Sequence, residues 1–555
     1  MLLAADIDLF APFEKDTILE IRTSKMKIMP GLTIQSGIDK QSRSGKIRVT
    51  FLGLADDEHD LTFHGGKDKA IHGYCSSHYT QWRQEFPDAE ARFKPGGFGE
   101  NFVTERMNER NICIGDILSV GSDGVLLQIS LPRQPCFKLN HRFQLKNFAP
   151  NTYKKSRTGW YYRVLREGTV QAGDEIRLVE RRWPRWTVER VQEYLHRTTD
   201  NAEINEELSR IVDMGDECRK AFEKRVAKFK AKQRRAAAGS EDDKAEKWRD
   251  YTLVEKKVQT PRITSFVLEA VTPDPDIKGA DVRLGSHARL RLPNGLIRSY
   301  SIVSGNENCF ELGIALEEPS RGGSVYLHKN TKEGDVIQVG HITSDLKPAG
   351  AASNHVFIVG GIGITAFLSM MEAYRLIHWE TTLHYGLRAA EDIPFPERLD
   401  GLKDSVKLYD RSQGQRMDIG EIIRTLSWNS HVYVCGPKRM LEEAVQEAKK
   451  CGLGDDEIHL EAFSADTTGD PFEAEVANRE GKILKVAGEE TLLEVLRKHF
   501  DDVPSSCEVG NCGTCRVSLT SGNVEHRGTA LAAEDKKGAM LSCVSRGIGR
   551  IAIEI

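Results

Sequence analysis

The chain of 555 residues has no apolar run long enough to cross a membrane. Its longest, from Val356 to Met371, is interrupted by Gly360, Gly361, Gly363 and Thr365 and falls short of the ~20 apolar residues that a helical span needs. It lacks an excess charge of either sign: 78 Lys and Arg stand against 82 Asp and Glu, a net −4. That balance argues against a protein built to hold nucleic acid or an anionic membrane. It lacks internal repeats. Its first residues, MLLAADIDLFAPFEKD, lack the basic segment and apolar core of a secretory leader, so a cytoplasmic address is the expectation. Cysteine is present in ordinary number, eleven in all, and a disulfide framework is not expected in a long, intracellular-looking chain. What cysteine there is clusters, with Cys507, Cys512, Cys515 and Cys543 gathered near the end. With 39% hydrophobic and 29% charged residues, the composition is that of a multidomain globular protein.

The hydrophobic period changes several times along the chain. Up to about residue 182 it reads as short strands, among them GKIRVTFLGL, VLLQISLP and EIRLVE, bounded by Gly, Asp and Pro. Residues 183–230 read as three amphipathic helices. A basic stretch followed by AAAGSEDDKAEK marks a linker over 231–247. Strands resume over 248–350, as expected of a small antiparallel barrel. Strands then alternate with helices over 351–465, the pattern of a doubly wound α/β domain. A unit over 470–555 closes the sequence. The expected fold class is therefore a multidomain chain of α/β and β parts.

The cysteines of the last unit are spaced C-x4-C-x2-C, and 27 residues separate Cys515 from Cys543. This is the plant-type [2Fe–2S] pattern. One tight loop and one distant strand bring four thiolates around two irons, and Gly510 and Gly513 let the loop curl so that its N–H groups face the sulfurs. A structural zinc site would more usually come as two separated C-x2-C pairs.

Four shorter elements precede the cluster. Arg298-Ser299-Tyr300-Ser301 ends an alternating run and could hold a flavin, or could be an exposed polar strand. Ser320-Arg321-Gly322-Gly323-Ser324 opens a helix, which suits a phosphate. Gly360-Gly361-Ile362-Gly363-Ile364-Thr365 follows a buried strand; it reads as a nucleotide turn or as close helix–strand packing. Cys435-Gly436-Pro437 ends a further strand, and Cys435 alone could equally be a small buried core residue. Taken in order with the cluster, these elements over residues 250–555 resemble the phthalate dioxygenase reductase family. The resemblance implies an FMN-binding barrel, an NAD(P)H-binding domain and a C-terminal ferredoxin of β-grasp fold. Arg298, Tyr300, Ser301, Arg321, Gly322, Gly323 and Ser324 match the flavin side. Gly361, Gly363, Thr365, Arg388, Cys435 and Gly436 match the nicotinamide side. NADH rather than NADPH is the expected donor, with no residue singled out to decide it. Two positions depart from the pattern: Ala366 replaces a usual proline, and the aromatic-rich end of the nucleotide domain reads Glu461-Ala462-Phe463.

Three clusters stand out in the front region: HGGKDKAIH from His64 to His72, PGGFGENF from Pro95 to Phe102, and PRQPCFKL from Pro132 to Leu139. Cations beside Cys136 favour its thiolate, a soft ligand for a heavy metal; a buried core cysteine is the plainer alternative. His64, His72 and His78 do not have a usual zinc spacing. Together with CIGD at Cys113, these motifs over about residues 15–180 resemble the MOSC domain, and the following helices resemble the small helical domain appended to bacterial MOSC proteins that reduce N-hydroxylated purines. The resemblance implies a β-rich barrel over 1–182 and a molybdenum–molybdopterin cofactor with Cys136 as its thiolate ligand. His64, Lys67, Lys69 and Arg133 would meet the pterin phosphate or substrate, and Glu100 and Asn101 would bond the pterin or shape its pocket. The expected activity is NAD(P)H-driven reduction of N-hydroxylated compounds by one self-sufficient chain, with no separate electron-transfer partner. The alternative is a reductase that feeds a separate Rieske-type or haem oxygenase, the MOSC part serving for docking or sulfur carriage.

Overall fold

The structure is a computed structural model. It describes residues 12–60, 64–237, 248–275, 277, 284–316, 322–344, 346, 348–463, 467–500, 502–528, 530–532 and 534–555. No helix among them is long and apolar enough to cross a membrane. The chain divides into two compact units, residues 1–241 with 350–353, and 242–349 with 354–555.

The first unit is built on a nine-stranded sheet. At its centre Val125–Pro132 pairs antiparallel with Trp160–Arg166, which pairs with Ile71–Cys75, and that strand runs parallel to Phe102–Thr104. Alternation places Val125, Leu127, Ile129 and Leu131 in the core. Among the described residues this sheet is open, where the sequence suggested a barrel. The helices that follow do not form a core of their own. Val188, Val191, Leu208, Met214 and Phe222 pack into the same apolar cluster as the sheet residues, because three helices alone enclose too little apolar surface for a core. The last of them, Asp216–Ala237, runs past the expected linker start at 231. Its Ala, Lys, Gln and Arg residues favour helix, and no Gly or Pro interrupts it before Gly239.

The second unit holds three sheets. Six antiparallel strands between Arg249 and Ser344 close into a barrel around Leu253, Phe266, Leu290 and Leu312. Five parallel strands follow, in the order Val406–Asp410, Thr381–Leu387, Asn354–Gly360, Ser430–Cys435, Ile458–Glu461. The strand order reverses beside Asn354–Gly360, so a crevice opens at the C-terminal ends of the strands there. The third sheet, also of five strands, joins Phe472–Val476 parallel to Arg546–Glu554 and packs the helix Leu492–Arg497 against its core. A capping box of Thr491 and Glu494 starts that helix.

Candidate functional site

Three cavities gather most of the residues expected from the sequence. The first lies in the rear unit and is walled by its three parts together. The barrel contributes His287, Arg298, Ser299, Tyr300, Ser301, Gly323 and Ser324; the α/β domain contributes Ile362, Thr365 and Glu461 to Phe463; the C-terminal domain contributes Ser506 to Val509, including Cys507. Hydrogen bonds fix this junction. Ser299 Oγ donates to the Ser506 carbonyl at 3.2 Å, Arg289 Nη1 to the Ser505 carbonyl at 2.5 Å, and Asn511 Nδ2 to the Ala462 carbonyl at 3.1 Å. Gly323 opens a helix directly beside the flavin strand: a Cβ there would stand 2.6 Å from Arg298 Cγ and 2.8 Å from Tyr300 Oη. Arg321 lies outside the described residues. A polar edge, an aromatic ring and a helix start around one cleft fit a flavin and its phosphate.

The cluster loop wraps as its glycines require. Gly510 and Gly513 have φ of 83° and 75°, left-handed values that side chains resist. The backbone N–H groups of Asn511 and Cys512 donate to Cys507 Sγ at 3.3 and 3.4 Å. Cys515 Sγ lies 3.1 Å from Cys543 Sγ, while the Cys512 thiol stands beside that of Cys507. The thiols thus form two pairs, the donor set that two tetrahedral irons need, and they fit a [2Fe–2S] cluster. Cys507 also walls this cavity, so a flavin held there would lie against a ligand of the cluster.

The second cavity is the crevice of the parallel sheet, lined by Gly360 to Gly363, Arg388, Tyr409, Arg411, Arg416, Gly436 and Arg439 among others. Gly363 is there for close approach: a Cβ would sit 2.4 Å from the Cys435 carbonyl oxygen. Cys435 is buried at 1% exposure behind the turn, and burial raises its thiol well above the usual range. It therefore serves as packing under the turn. Thr365 lines the flavin cavity, and Ile362 and Phe463 line both cavities, so the two are neighbours.

The third cavity is in the front unit. Cys136, half-buried, caps the short helix Phe137–Phe143 and shares the cavity with His64, Lys69, His72, Asn101, Arg133, Lys138, Lys40 and Tyr161. Adjacent strands bring them together: His72 and Tyr161 are direct cross-strand partners, and Arg133 follows Pro132. Lys40 Nζ holds both Asp57 oxygens at 2.5 and 2.6 Å, and Asn101 Nδ2 donates to the same carboxylate at 2.8 Å. Lys138 stands 3.9 Å from Asp60, and Lys69 pairs with Glu217. Arg133 and His72 are buried in the cavity wall, and burial, with Arg133 nearby, holds the His72 imidazole well below its usual range. Burial, with Lys138, Arg133 and Lys69 nearby, pushes His64 down to about 3, so it stands in the cavity as a neutral group. A thiol ringed by Lys40, Lys69, Arg133 and Lys138 fits a phosphate-bearing pterin and a thiolate-bound metal.

Two expected residues stand elsewhere. Lys67 is exposed on a single turn, Lys67–Lys69, and does not line this cavity. Glu100 is fully buried behind the wall, accepting from Tyr79 Oη, Gly96 N and Phe98 N at 2.7, 2.6 and 3.1 Å, so it shapes the loop without reaching the cavity. His78 is also apart, bound to Glu109 at 2.7 Å. Lys40, Asp57, His59, Asp60 and Tyr161 were not singled out from the sequence, where each is an isolated polar residue; Lys138 lies within the PRQPCFKL motif and could have been found there.

Comparison with known proteins agrees with this layout. The MOSC domain family matches residues 60–177, and the 2Fe-2S iron-sulfur cluster binding domain family matches residues 475–546. A reductase of Gibberella moniliformis is 37% identical over 563 residues, covering 97% of this chain and 95% of that protein. The chain belongs to this reductase family. It joins a MOSC domain, a phthalate dioxygenase reductase-like flavin and nicotinamide module and a [2Fe–2S] ferredoxin domain in one polypeptide, and it is an NAD(P)H-dependent oxidoreductase. The rear half also matches the heme-dependent oxidative N-demethylase beta subunit of Ectopseudomonas mendocina, 34% identical over 52% of this chain and 93% of that one. The solved structure of phthalate dioxygenase reductase aligns with 56% of this chain and 98% of its own at 27% identity, with a TM-score of 0.44.

Proposed function

We propose that the chain is a self-sufficient reductase of N-hydroxylated compounds such as hydroxylaminopurines and amidoximes. Electrons from NAD(P)H would pass by way of FMN and the [2Fe–2S] cluster to a molybdenum–molybdopterin held at Cys136. The net reaction takes two electrons and two protons, cleaves the N–O bond and yields the amine and water. The observation that carries this reading is the front cavity, where Cys136 lies among Lys40, Lys69, Arg133 and Lys138 in a chain that also holds a complete electron source.

When bound, molybdenum would supply a two-electron centre able to accept oxygen from the substrate. The residues of this chain do the rest. Cys136 would ligate it, and the buried Arg133 guanidinium would meet an anionic cofactor or the substrate oxygen. Neutral His64, 3.5 Å from Tyr161 Oη, can relay a proton without adding charge to an already cationic pocket. In the rear unit, Arg298 and Ser324 would hold the flavin, and Thr365 and the Gly361–Gly363 turn the nicotinamide nucleotide. A cytoplasmic location and independence of a separate electron carrier belong to the same reading.

The test uses full-length protein from a host that makes molybdopterin. About one molybdenum per chain, and turnover of an N-hydroxylated purine with no added protein, are expected. Cys136→Ala is expected to lose the metal and that turnover while still reducing ferricyanide. Full turnover in that variant would overturn the reading. The similarity to the N-demethylase beta subunit supports a second reading, a reductase serving a separate haem or Rieske oxygenase; turnover only after addition of such an oxygenase would favour it.

A further inference from the structure

The crevice of the parallel sheet carries far more positive charge than a pyrophosphate calls for. Five arginines line it, Arg262, Arg388, Arg411, Arg416 and Arg439, against two carboxylates, Asp392 and Glu443. Arg388, Arg411, Arg416 and Arg439 make no ion pair with a described residue, although surface arginines elsewhere in the chain commonly do, as Arg424 with Glu447 and Arg527 with Glu525.

Their positions say which part of the nucleotide they face. The nicotinamide end must lie toward the flavin cavity, which Ile362 and Thr365 share. The pyrophosphate falls at the glycine turn of Gly360 to Gly363, beside the reversal of strand order. Arg388 follows the next strand, Thr381–Leu387, and Arg411 and Arg416 follow the one beyond, Val406–Asp410. Each step outward is roughly 4.8 Å, so these three lie on the adenosine side. There an NADH site usually places a carboxylate on the ribose hydroxyl, and an NADPH site an arginine on the phosphate. The carboxylate at the end of the outer strand, Asp410, is turned inward: it is 7% exposed and accepts from Ser412 N and Oγ at 2.8 and 2.6 Å. Arg411 beside it is exposed. Asp392 reaches the cleft from the turn Ala390–Asp392, outnumbered by the arginines.

We propose that Arg411 and Arg416, with Arg388, form a site for the 2′-phosphate of NADPH, and that this reductase uses NADPH in preference to the NADH expected from the sequence. The extra phosphate brings about −1.5 to −2 charge, and guanidinium groups bind it with charge-assisted, forked hydrogen bonds.

The test is made on the holoenzyme with ferricyanide as acceptor, so its outcome does not depend on chemistry at Cys136. Expected is a kcat/KM for NADPH at least about tenfold above that for NADH, the worth of one charge-assisted hydrogen bond. A smaller ratio, or a preference for NADH, overturns the proposal. Arg411→Asp combined with R416A is expected to lower the NADPH-to-NADH ratio by about tenfold or more; an unchanged ratio overturns the assignment of these side chains. Binding to the unmodified protein gives a measurement independent of variant folding. 2′,5′-ADP should compete at least about tenfold more tightly than 5′-AMP, and lose much of that advantage at high salt; equal inhibition overturns the proposal.

Discussion

The front and rear cavities are built in opposite ways. The rear flavin cavity is made by short contiguous motifs: a strand of Arg298 to Ser301, a helix start at Gly323 and a cysteine loop at Cys507. Backbone and small side chains do most of its work, and three parts of one unit close on it. The front cavity draws lone charged residues from Lys40, Asp57, Asp60, Arg133 and Lys138 into one place, and pairs most of them. The rear cavity depends on backbone that only glycine permits; the front depends on charges that must stay matched. The two should therefore fail differently.

The largest expected effect is at the cluster. Cys515→Ser removes one of four thiols and should abolish the iron–sulfur absorption and lower reduction of a one-electron acceptor such as cytochrome c by about 100-fold or more. Folding of the front unit, followed by its own unfolding transition, should be untouched. A variant that keeps the chromophore would erase the contrast.

Next is the front charge network. Lys40 and Asp57 have side chains 6% and 3% exposed; burial lowers the Lys40 ammonium below its usual range, partly offset by Asp57. Lys40→Met strands a buried carboxylate and should destabilise this unit by about 3–5 kcal/mol. Replacing both partners by apolar groups should cost much less, because no unpaired charge remains. Denaturant midpoints of the single and double variants check this.

At the nucleotide turn, Gly363→Ala drives a Cβ against the Cys435 carbonyl. A rise in KM for the nucleotide of about tenfold is expected, with the spectrum of the bound flavin unchanged. A KM equal to that of the unmodified chain would show that the turn yields.

The smallest effect is acid sensitivity of the front unit. Burial alone would raise the carboxyl of Glu109, but His78 and the backbone N–H of Gly159 outweigh it and hold it below its ordinary value near 4.5. A carboxylate depressed in the folded state stabilises above its unfolded pKa, and that stability is lost as pH falls through the lower folded value. Melting followed below about pH 4.5 should show the front unit losing stability, and Glu109→Gln should weaken that pH dependence.

Much of the rear half was legible because its chemistry sits in contiguous motifs. The four cluster cysteines, the R-S-Y-S strand and the glycine turn each carry their geometry within a few residues. Phe463 was noted only as a departure from pattern, yet it lies where the two rear cavities meet. In the front half the motifs point to Cys136, His64, Lys69, Asn101 and Arg133, which share the cavity, but Lys67 does not join them. It follows two glycines on a single turn that points it outward, while Lys69 two residues on faces in. Glu100 drew attention as an acid beside glycines; its two oxygens are occupied by the loop that those glycines create.

Spacing along the chain determined the redox elements of this protein: ligands for iron, a turn for a dinucleotide and a strand for a flavin all need residues a few positions apart, and a local requirement leaves a local trace. Folding decided where the charges went. Lys40 meets Asp57, and Lys138 comes within reach of Asp60, because the fold brings the loop after Gly53–Leu54 against the start of the helix Phe137–Phe143 and the residue before the strand Gln41–Arg43. Electrostatic attraction acts through space, so no spacing in the sequence records it.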